Sequence, residues 1–96
     1  MAAPPAGAIT FTVWGPIERD DLEGLRDRVC ALLSRSGASI AFCDVSGVAA
    51  DAVTADALAR LQLGARRHAC QVRLRGASPQ LRELIAFMGL RDVLPE

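Results

Sequence analysis

Hydrophobic and polar residues alternate near the N-terminus, where the chain reads Ile-Thr-Phe-Thr-Val-Trp. This period of two predicts a half-exposed β-strand in which Ile9, Phe11 and Val13 share one face. The Gly-Pro pair that follows is expected to end the strand. Trp14 falls on the other face, where it could present an aromatic patch to a partner; we expect packing in the core or at its rim instead, because large aromatic side chains usually bury most of their surface.

Two further segments have the composition of strands. Residues 40–43 (Ile-Ala-Phe-Cys) are apolar throughout, which is typical of a strand covered on both faces of its sheet. Asp44, Ser46 and Gly47 are expected to end this strand. Residues 71–75 (Gln-Val-Arg-Leu-Arg) alternate again and predict a third strand whose valine and leucine face inward.

Three stretches carry apolar residues at helical spacing. The first is expected over residues 20–36 and should stop at Gly37. The second should begin at Thr54, whose hydroxyl can cap the first turn, and the third at the pair Ser78 and Pro79. The three apolar stripes are Leu22, Leu25, Val29, Leu32 and Leu33; Ala55, Leu58, Leu61, Gln62, Ala65 and Ala69; and Leu81, Leu84, Ile85 and Met88.

The alternation of strands and helices predicts an α/β fold. We expect a small, mainly parallel sheet of about three to four strands with three to four helices packed on it. Because the chain has 96 residues, a single domain is expected over residues 9–96. Residues 1–8, rich in alanine and proline, are expected to form a flexible tail.

Composition and charge exclude several classes of function. Eleven basic and eleven acidic residues balance at zero net charge, so we expect no direct nucleic-acid partner. No apolar run approaches the roughly 20 residues that cross a bilayer, and no signal peptide is evident. We therefore expect a cytoplasmic protein without membrane insertion.

The chemistry-bearing residues do not assemble into a catalytic motif. The three cysteines are odd in number, widely spaced and set among apolar residues, which favours neither disulfides nor a metal site. No paired nucleophile and base or glycine-rich phosphate loop is evident. We expect a protein that is not an enzyme and binds no cofactor and no metal.

The order of several motifs resembles the STAS domain family, named for sulphate transporters and anti-sigma factor antagonists. The strand-end sequence Asp-Val-Ser-Gly-Val of residues 44–48 is followed by a loop, a helix with leucines three apart and a third strand. The chain then reads Ser-Pro-x-Leu-x-x-Leu-x-x-x-x-Gly-Leu over residues 78–90. The resemblance covers residues 9–94. It implies a fold abbreviated at the N-terminus, because the family usually has another strand before residue 9; the bare sheet edge would permit a homodimer by edge contact.

The family's phosphorylation loop is degenerate in this chain. In regulatory members the loop reads Asp-Ser-Ser-Gly-Leu-x-x-Leu, and a partner kinase phosphorylates its first serine. Alignment on Leu58 and Leu61 places Thr54 at the aspartate, and it places Ala55 and Asp56 at the two serines. The acceptor serine is therefore absent. Thr54, one residue away, is the hydroxyl that would take a phosphate if the register of the loop differs.

The candidate partner-binding site lies on the loop and the second helix. With Leu58 and Leu61 facing inward, Leu63 points outward beside Arg60, and an apolar anchor among arginines is a common interface composition. A lone exposed leucine is equally ordinary on a surface without function, and both interpretations stay open. The candidate residues are Ser46, Asp51, Thr54, Ala55, Asp56, Arg60 and Leu63.

The resemblance implies a regulatory module that binds proteins. We expect an anti-sigma factor antagonist-like function, in which the domain binds an anti-sigma factor that is also a serine kinase. The alternative is an accessory subunit of a lipid-transport ABC transporter, docked on the transporter's ATPase subunit. A small-molecule ligand is supported only by the strand-end crevice of such folds.

Overall fold

The computed structural model describes residues 7–15 and 17–96, in which strands and helices alternate along the chain. The elements are β1 (Ala8–Trp14), α1 (Leu22–Ser36), β2 (Ile40–Gly47), α2 (Ala52–Arg66), β3 (Gln71–Arg75) and α3 (Pro79–Phe87). A 3-10 turn, Arg19–Asp21, precedes α1. The predicted α/β fold is confirmed. None of the described helices is long and apolar enough to cross a membrane.

The three strands form one parallel sheet in the order β1-β2-β3. Phe11, Cys43 and Leu74 lie side by side across the sheet and set its register. Because the strands are parallel, their carboxyl ends lie along the same edge of the sheet. The loop between β2 and α2 leaves from that edge, where open α/β sheets place their binding sites.

The hydrophobic core lies on one face of the sheet. The sheet residues that are fully buried in it, Val13, Ala41, Cys43, Val45, Val72 and Leu74, all point to the helices. The prediction that β2 is covered on both faces is wrong: Phe42 points away from the core and is only half-buried. The strand also continues beyond Cys43 to Gly47, so Asp44 and Ser46 share the face of Phe42 and give it a polar continuation.

The helix termini show which polar residues act as caps. Gly37 ends α1 with a left-handed φ of 65°, as predicted. Ser78 caps α3 as predicted, because its hydroxyl accepts from the Leu81 amide at 3.1 Å. The prediction that Thr54 caps α2 is wrong. Asp51 caps this helix, and its carboxylate accepts from the Thr54 amide at 2.8 Å.

The predicted stripe of α2 is confirmed except at its last member. Leu58, Leu61 and Ala65 are fully buried. Ala69 is exposed, lies beyond the end of the helix and has a φ of 54°. The helix ends at Arg66 because the chain must turn sharply there to enter β3.

The N-terminal segment joins the sheet earlier than expected. The first six residues of the predicted tail lie outside the described residues, as does Pro16 of the predicted strand end. Gly7 already pairs with the chain ahead of β2, since its carbonyl accepts from the Ser39 amide at 2.8 Å and the Ile40 amide at 2.7 Å. At the other end of β1, the Gly15 amide donates to Gly47 at 3.2 Å.

The outer edge of β3 is covered from within the chain. The buried Gln62 amide group donates to the Val72 carbonyl at 2.9 Å and to the Val93 carbonyl at 2.8 Å. Its carbonyl oxygen accepts from the Val72 amide at 2.7 Å. Further along, the Leu74 amide donates to the Pro95 carbonyl at 2.8 Å. Pairing of this edge with a second chain would have to break these bonds, so the expected edge homodimer remains a prediction for β1 alone.

Candidate protein-binding site

The end of β2 is held by a local hydrogen-bonded turn. The Asp44 carboxylate accepts from the Ser46 amide at 3.0 Å and from the Ser46 hydroxyl at 2.7 Å. These two bonds, the amide one first, lower the pKa of Asp44 below its ordinary value. Ser46 is exposed, and it lies with Phe42 and Arg75 along the face of the sheet opposite the helices.

The first turn of α2 hides two of the candidate residues. Thr54 and Ala55 are both 0% exposed. The Thr54 hydroxyl has no hydrogen-bond partner among the described residues. A kinase could reach this hydroxyl only if the first turn of α2 opened. The structure therefore removes Thr54 and Ala55 from the protein surface, whereas Asp51 remains exposed as the cap.

The other candidate residues of α2 lie together on its exposed face. Arg60 donates through Nε to Asp56 at 3.0 Å, a pair spaced i,i+4 along the helix. Both side chains are about half exposed, so the pair contributes less than about 1 kcal/mol to stability. Leu63, one turn further, is 58% exposed. A partner can therefore engage these groups without a large cost for breaking the ion pair.

A shallow groove extends this face towards α1. Arg26 from α1 and Arg67 from the end of α2 line it together with Asp56, Arg60 and Leu63. The lining residues carry three arginines and one aspartate, and Arg26 also lies 3.8 Å from the Asp27 carboxylate, so the groove has a modest excess of positive charge to which Leu63 adds an apolar contact. Neither Arg26 nor Arg67 was among the candidate residues chosen from the sequence. Arg67 directly follows α2, and its spacing from Leu63 indicates that it lies on the same face of the helix. The position of Arg26 depends on how α1 and α2 pack, which the sequence does not show.

The packing of α1 against α2 is close because Gly64 lies between them. A Cβ at Gly64 would lie 2.9 Å from Cys30 Sγ and 3.6 Å from Arg26 Cγ. Helices with this separation bring the Arg26 side chain alongside α2. We define the α2 docking face as Arg26, Asp56, Arg60, Leu63 and Arg67.

An exposed aromatic residue lies at the carboxyl end of the sheet. Trp14 is 75% exposed, so the expectation that it packs in the core or at its rim is wrong, and the alternative of an exposed aromatic patch stands. Its ring rests against Gly47, where an added Cβ would lie 2.9 Å from Trp14 Cε3. The alternating pattern of β1 had placed Trp14 on the face opposite the core-facing residues, and this pattern correctly indicated that its side chain is exposed. Tryptophan at an exposed site is a frequent interface anchor.

The buried thiols are poor nucleophiles. Burial, and to a smaller degree the charge of Asp44, raises the pKa of Cys43 to about 12. Burial also raises the pKa of Cys70. Thiols in this state stay protonated at neutral pH and react slowly. Within residues 7–15 and 17–96, no group of three or more His, Cys, Asp or Glu side chains is placed to hold a metal ion.

Comparison with protein families gives one extended match. A family model described as "Mlab, STAS domain" matches residues 5–95. No curated protein gives a significant match to the chain. The family match spans both candidate regions, the end of β2 and the whole of α2, and confirms the resemblance that the sequence motifs indicated.

Proposed function

The chain belongs to the STAS domain family, and we propose that it is an adapter that docks on a protein partner without a phosphorylation switch. STAS domains are in general regulatory or protein-interaction modules that carry no catalysis of their own. The docking surface in this proposal is the α2 docking face. Its arginines and the exposed Leu63 supply the charged rim and apolar anchor that are common in such interfaces.

The main support for this proposal is that the first turn of α2 is buried and lacks an acceptor serine. Ala55 stands where the regulatory members have their acceptor serine, and the neighbouring Thr54 hydroxyl is completely buried. A phosphate adds nearly two negative charges and must be reachable by the kinase and by the partner. Neither residue meets this requirement in the folded chain, so docking is expected to be constitutive.

We propose the ATPase subunit of a lipid-transport ABC transporter as the partner. The resemblance implies two kinds of partner, and only the anti-sigma factor requires release by phosphorylation. A permanently bound accessory subunit does not require an accessible residue that a kinase can phosphorylate. The buried Thr54 therefore favours the transporter role, which is the second of the functions expected from sequence.

One observation favours the anti-sigma factor antagonist-like function as a second candidate. Ser46 lies in the strand-end sequence and is exposed. Its hydroxyl donates to Asp44 at 2.7 Å, so a phosphate on Ser46 would be pressed against a carboxylate. Repulsion between them would disturb the loop that leads into α2, which is a route by which phosphorylation could release a partner.

The test compares two charge-inserting variants on different surfaces. Leu63→Glu places a carboxylate in the α2 docking face, and Phe87→Glu makes the same change on α3, where Phe87 is 90% exposed. Each variant is titrated by calorimetry against the transporter ATPase subunit and the kinase-type anti-sigma factor of the same organism. We expect the ATPase subunit to bind the unmodified chain and Phe87→Glu alike, and Leu63→Glu roughly tenfold more weakly or worse.

The outcomes separate the two candidates. Binding to the anti-sigma factor, lost after kinase treatment that labels Ser46, would establish the second candidate and overturn the first. Equal binding of Leu63→Glu and Phe87→Glu to the ATPase subunit would show that the α2 docking face is not the interface.

A further inference from the structure

One face of the sheet has no cover within the described residues. The residues that form it, called here the open sheet face, include Thr10, Thr12, Ile40, Phe42, Asp44, Arg73 and Arg75. None of them belongs to the hydrophobic core, which lies entirely on the other face. All-parallel sheets are almost always covered on both faces, because their helical crossovers supply the cover. An uncovered face of a parallel sheet is therefore a candidate surface for binding another protein segment.

The open sheet face carries two arginines, Arg73 and Arg75, against a single acidic residue, Asp44. Arg75 lies over the Phe42 ring with its guanidinium carbon 4.1 Å from the ring centroid. The Nε atom of the neighbouring Arg73 is buried and finds no acceptor among the described residues. Asp44, the acidic residue beside them, already accepts from Ser46 twice. A buried donor without an acceptor is unfavourable, so an acceptor that the Arg73 side chain can turn to meet would be stabilising.

The shape of the surface matches a single helix. Three strands about 4.8 Å apart give a face about 10 Å wide, which is the diameter of one α-helix. The five paired positions of β2 and β3 span about 17 Å, the length of roughly eleven helical residues. Ile40 and Phe42 form an apolar centre, which Arg75 partly covers and beside which Arg73 lies.

We infer that the open sheet face is a docking surface for an acidic amphipathic helix of a partner protein. The helix lays its apolar stripe on Ile40 and Phe42 and directs carboxylates from one flank to Arg73 and Arg75. Charge-assisted bonds to these guanidiniums fix its orientation. This surface lies on the side of the sheet away from α2, so it can be occupied together with the α2 docking face, and the inference does not depend on the proposed function.

The probe is a synthetic 14-residue helical peptide with leucines at positions i, i+3, i+4 and i+7 and glutamates along one flank. It is titrated into the isotope-labelled full chain, and amide shifts are followed by NMR. We expect saturable shifts at Phe42, Arg73 and Arg75 and none along α2. A peptide with lysine in place of every glutamate should not bind.

Matched variants assign the binding to the two arginines. Arg73→Gln/Arg75→Gln should weaken the acidic peptide roughly tenfold, because each loses a charge-assisted bond. Arg35→Gln/Arg66→Gln removes the same charge in the last turns of α1 and α2 and should leave affinity unchanged. Thr10→Glu changes only an exposed position and should also weaken binding, because the new carboxylate repels the acidic peptide. It gives an independent measurement if the double variant folds poorly.

Several results would overturn the inference. They include no saturable shift, equal binding of the lysine peptide, or equal loss in both arginine pairs. A marked gain of peptide affinity when residues 1–6 are deleted would show that the chain's own N-terminus covers the face. A concentration-dependent dimer that Phe42→Glu abolishes would show that a second copy covers it.

Discussion

The two faces of α2 differ in what holds their side chains in place. On the inner face, Thr54, Leu58 and Gln62 are enclosed by the sheet and the neighbouring helices, and Gln62 alone makes three hydrogen bonds. On the outer face, Asp56 and Arg60 meet each other, while Leu63 projects into solvent. The same helix thus carries one surface that the fold requires and another that the fold leaves unused.

This contrast separates stability from recognition. Inner-face substitutions should change the free energy of unfolding, whereas outer-face substitutions should change partner binding alone. It also explains why Thr54 and Ala55 are not available for recognition in the folded domain. The first turn of α2 has been taken into the core, and the residues available for recognition are one to three turns further along the helix.

The largest effect is expected from placing the same charge on each face. Thr54→Glu buries a carboxylate without a partner, and this should reduce the free energy of unfolding by about 3–5 kcal/mol or abolish folding. Leu63→Glu should change it by less than about 0.5 kcal/mol, as surface substitutions usually do. Urea unfolding followed by circular dichroism gives both values. Similar losses for the two variants would contradict the assignment of faces.

Thr54→Val is the control that isolates the hydroxyl. Valine has nearly the same shape, and the Thr54 hydroxyl has no partner among the described residues. Its removal should be neutral or slightly stabilising, because an unpaired buried hydroxyl is costly. A loss above 1 kcal/mol would instead reveal a hydrogen bond made to that hydroxyl in solution. This pair of variants also shows why glutamate at Thr54 would be a poor mimic of phosphorylation: it would unfold the site.

A smaller effect is expected at the edge of β3. Gln62→Met keeps the side-chain volume but leaves the Val72 amide and two carbonyls without their partners. The free energy of unfolding should fall by about 2–4 kcal/mol. Hydrogen exchange at the Val72 amide should accelerate more than at the Leu74 amide, which bonds to Pro95 and serves as the internal control. Equal acceleration at both amides would mean that the whole edge depends on the rest of the core.

The sequence predicted the elements well because periodicity records which side of an element is buried. Val72 and Leu74 alternate with arginines, and the stripe of α2 keeps helical spacing to Ala65. The start of α2 was wrong by three residues: aspartate and threonine both cap helices, and the helix uses Asp51, the stronger cap of the two. The burial of Thr54, by contrast, depends on tertiary packing.

The candidate site could be predicted only in part, for a related reason. Asp56, Arg60 and Leu63 are on one helix, so their spacing alone brings them together. Ser46 directly precedes the loop in sequence but lies on the opposite side of the sheet, and Arg26 joins α2 from another helix. The apolar run of β2 also made its exposed face hard to predict. Phe42 resembles a core residue unless one notices that Asp44 and Ser46, two and four residues later, point to the same face of the strand.

The smallest effect is expected where the two faces meet, at the contact between α1 and α2. Gly64→Ala gains about 1 kcal/mol of helix propensity, but its Cβ would lie 2.9 Å from Cys30 Sγ. Overpacking costs about 1–3 kcal/mol, so a net loss near 1 kcal/mol is expected.

Adding Cys30→Ala removes the sulfur and lets the new methyl group fill its place. The double variant should then be more stable than the sum of the single changes by about 1 kcal/mol, measured as a double-mutant cycle in urea. Because Arg26 Cγ lies 3.6 Å from the same point, the cycle also reports on the groove. If the two changes were simply additive, α1 and α2 would not pack closely enough for Arg26 to form part of the α2 docking face.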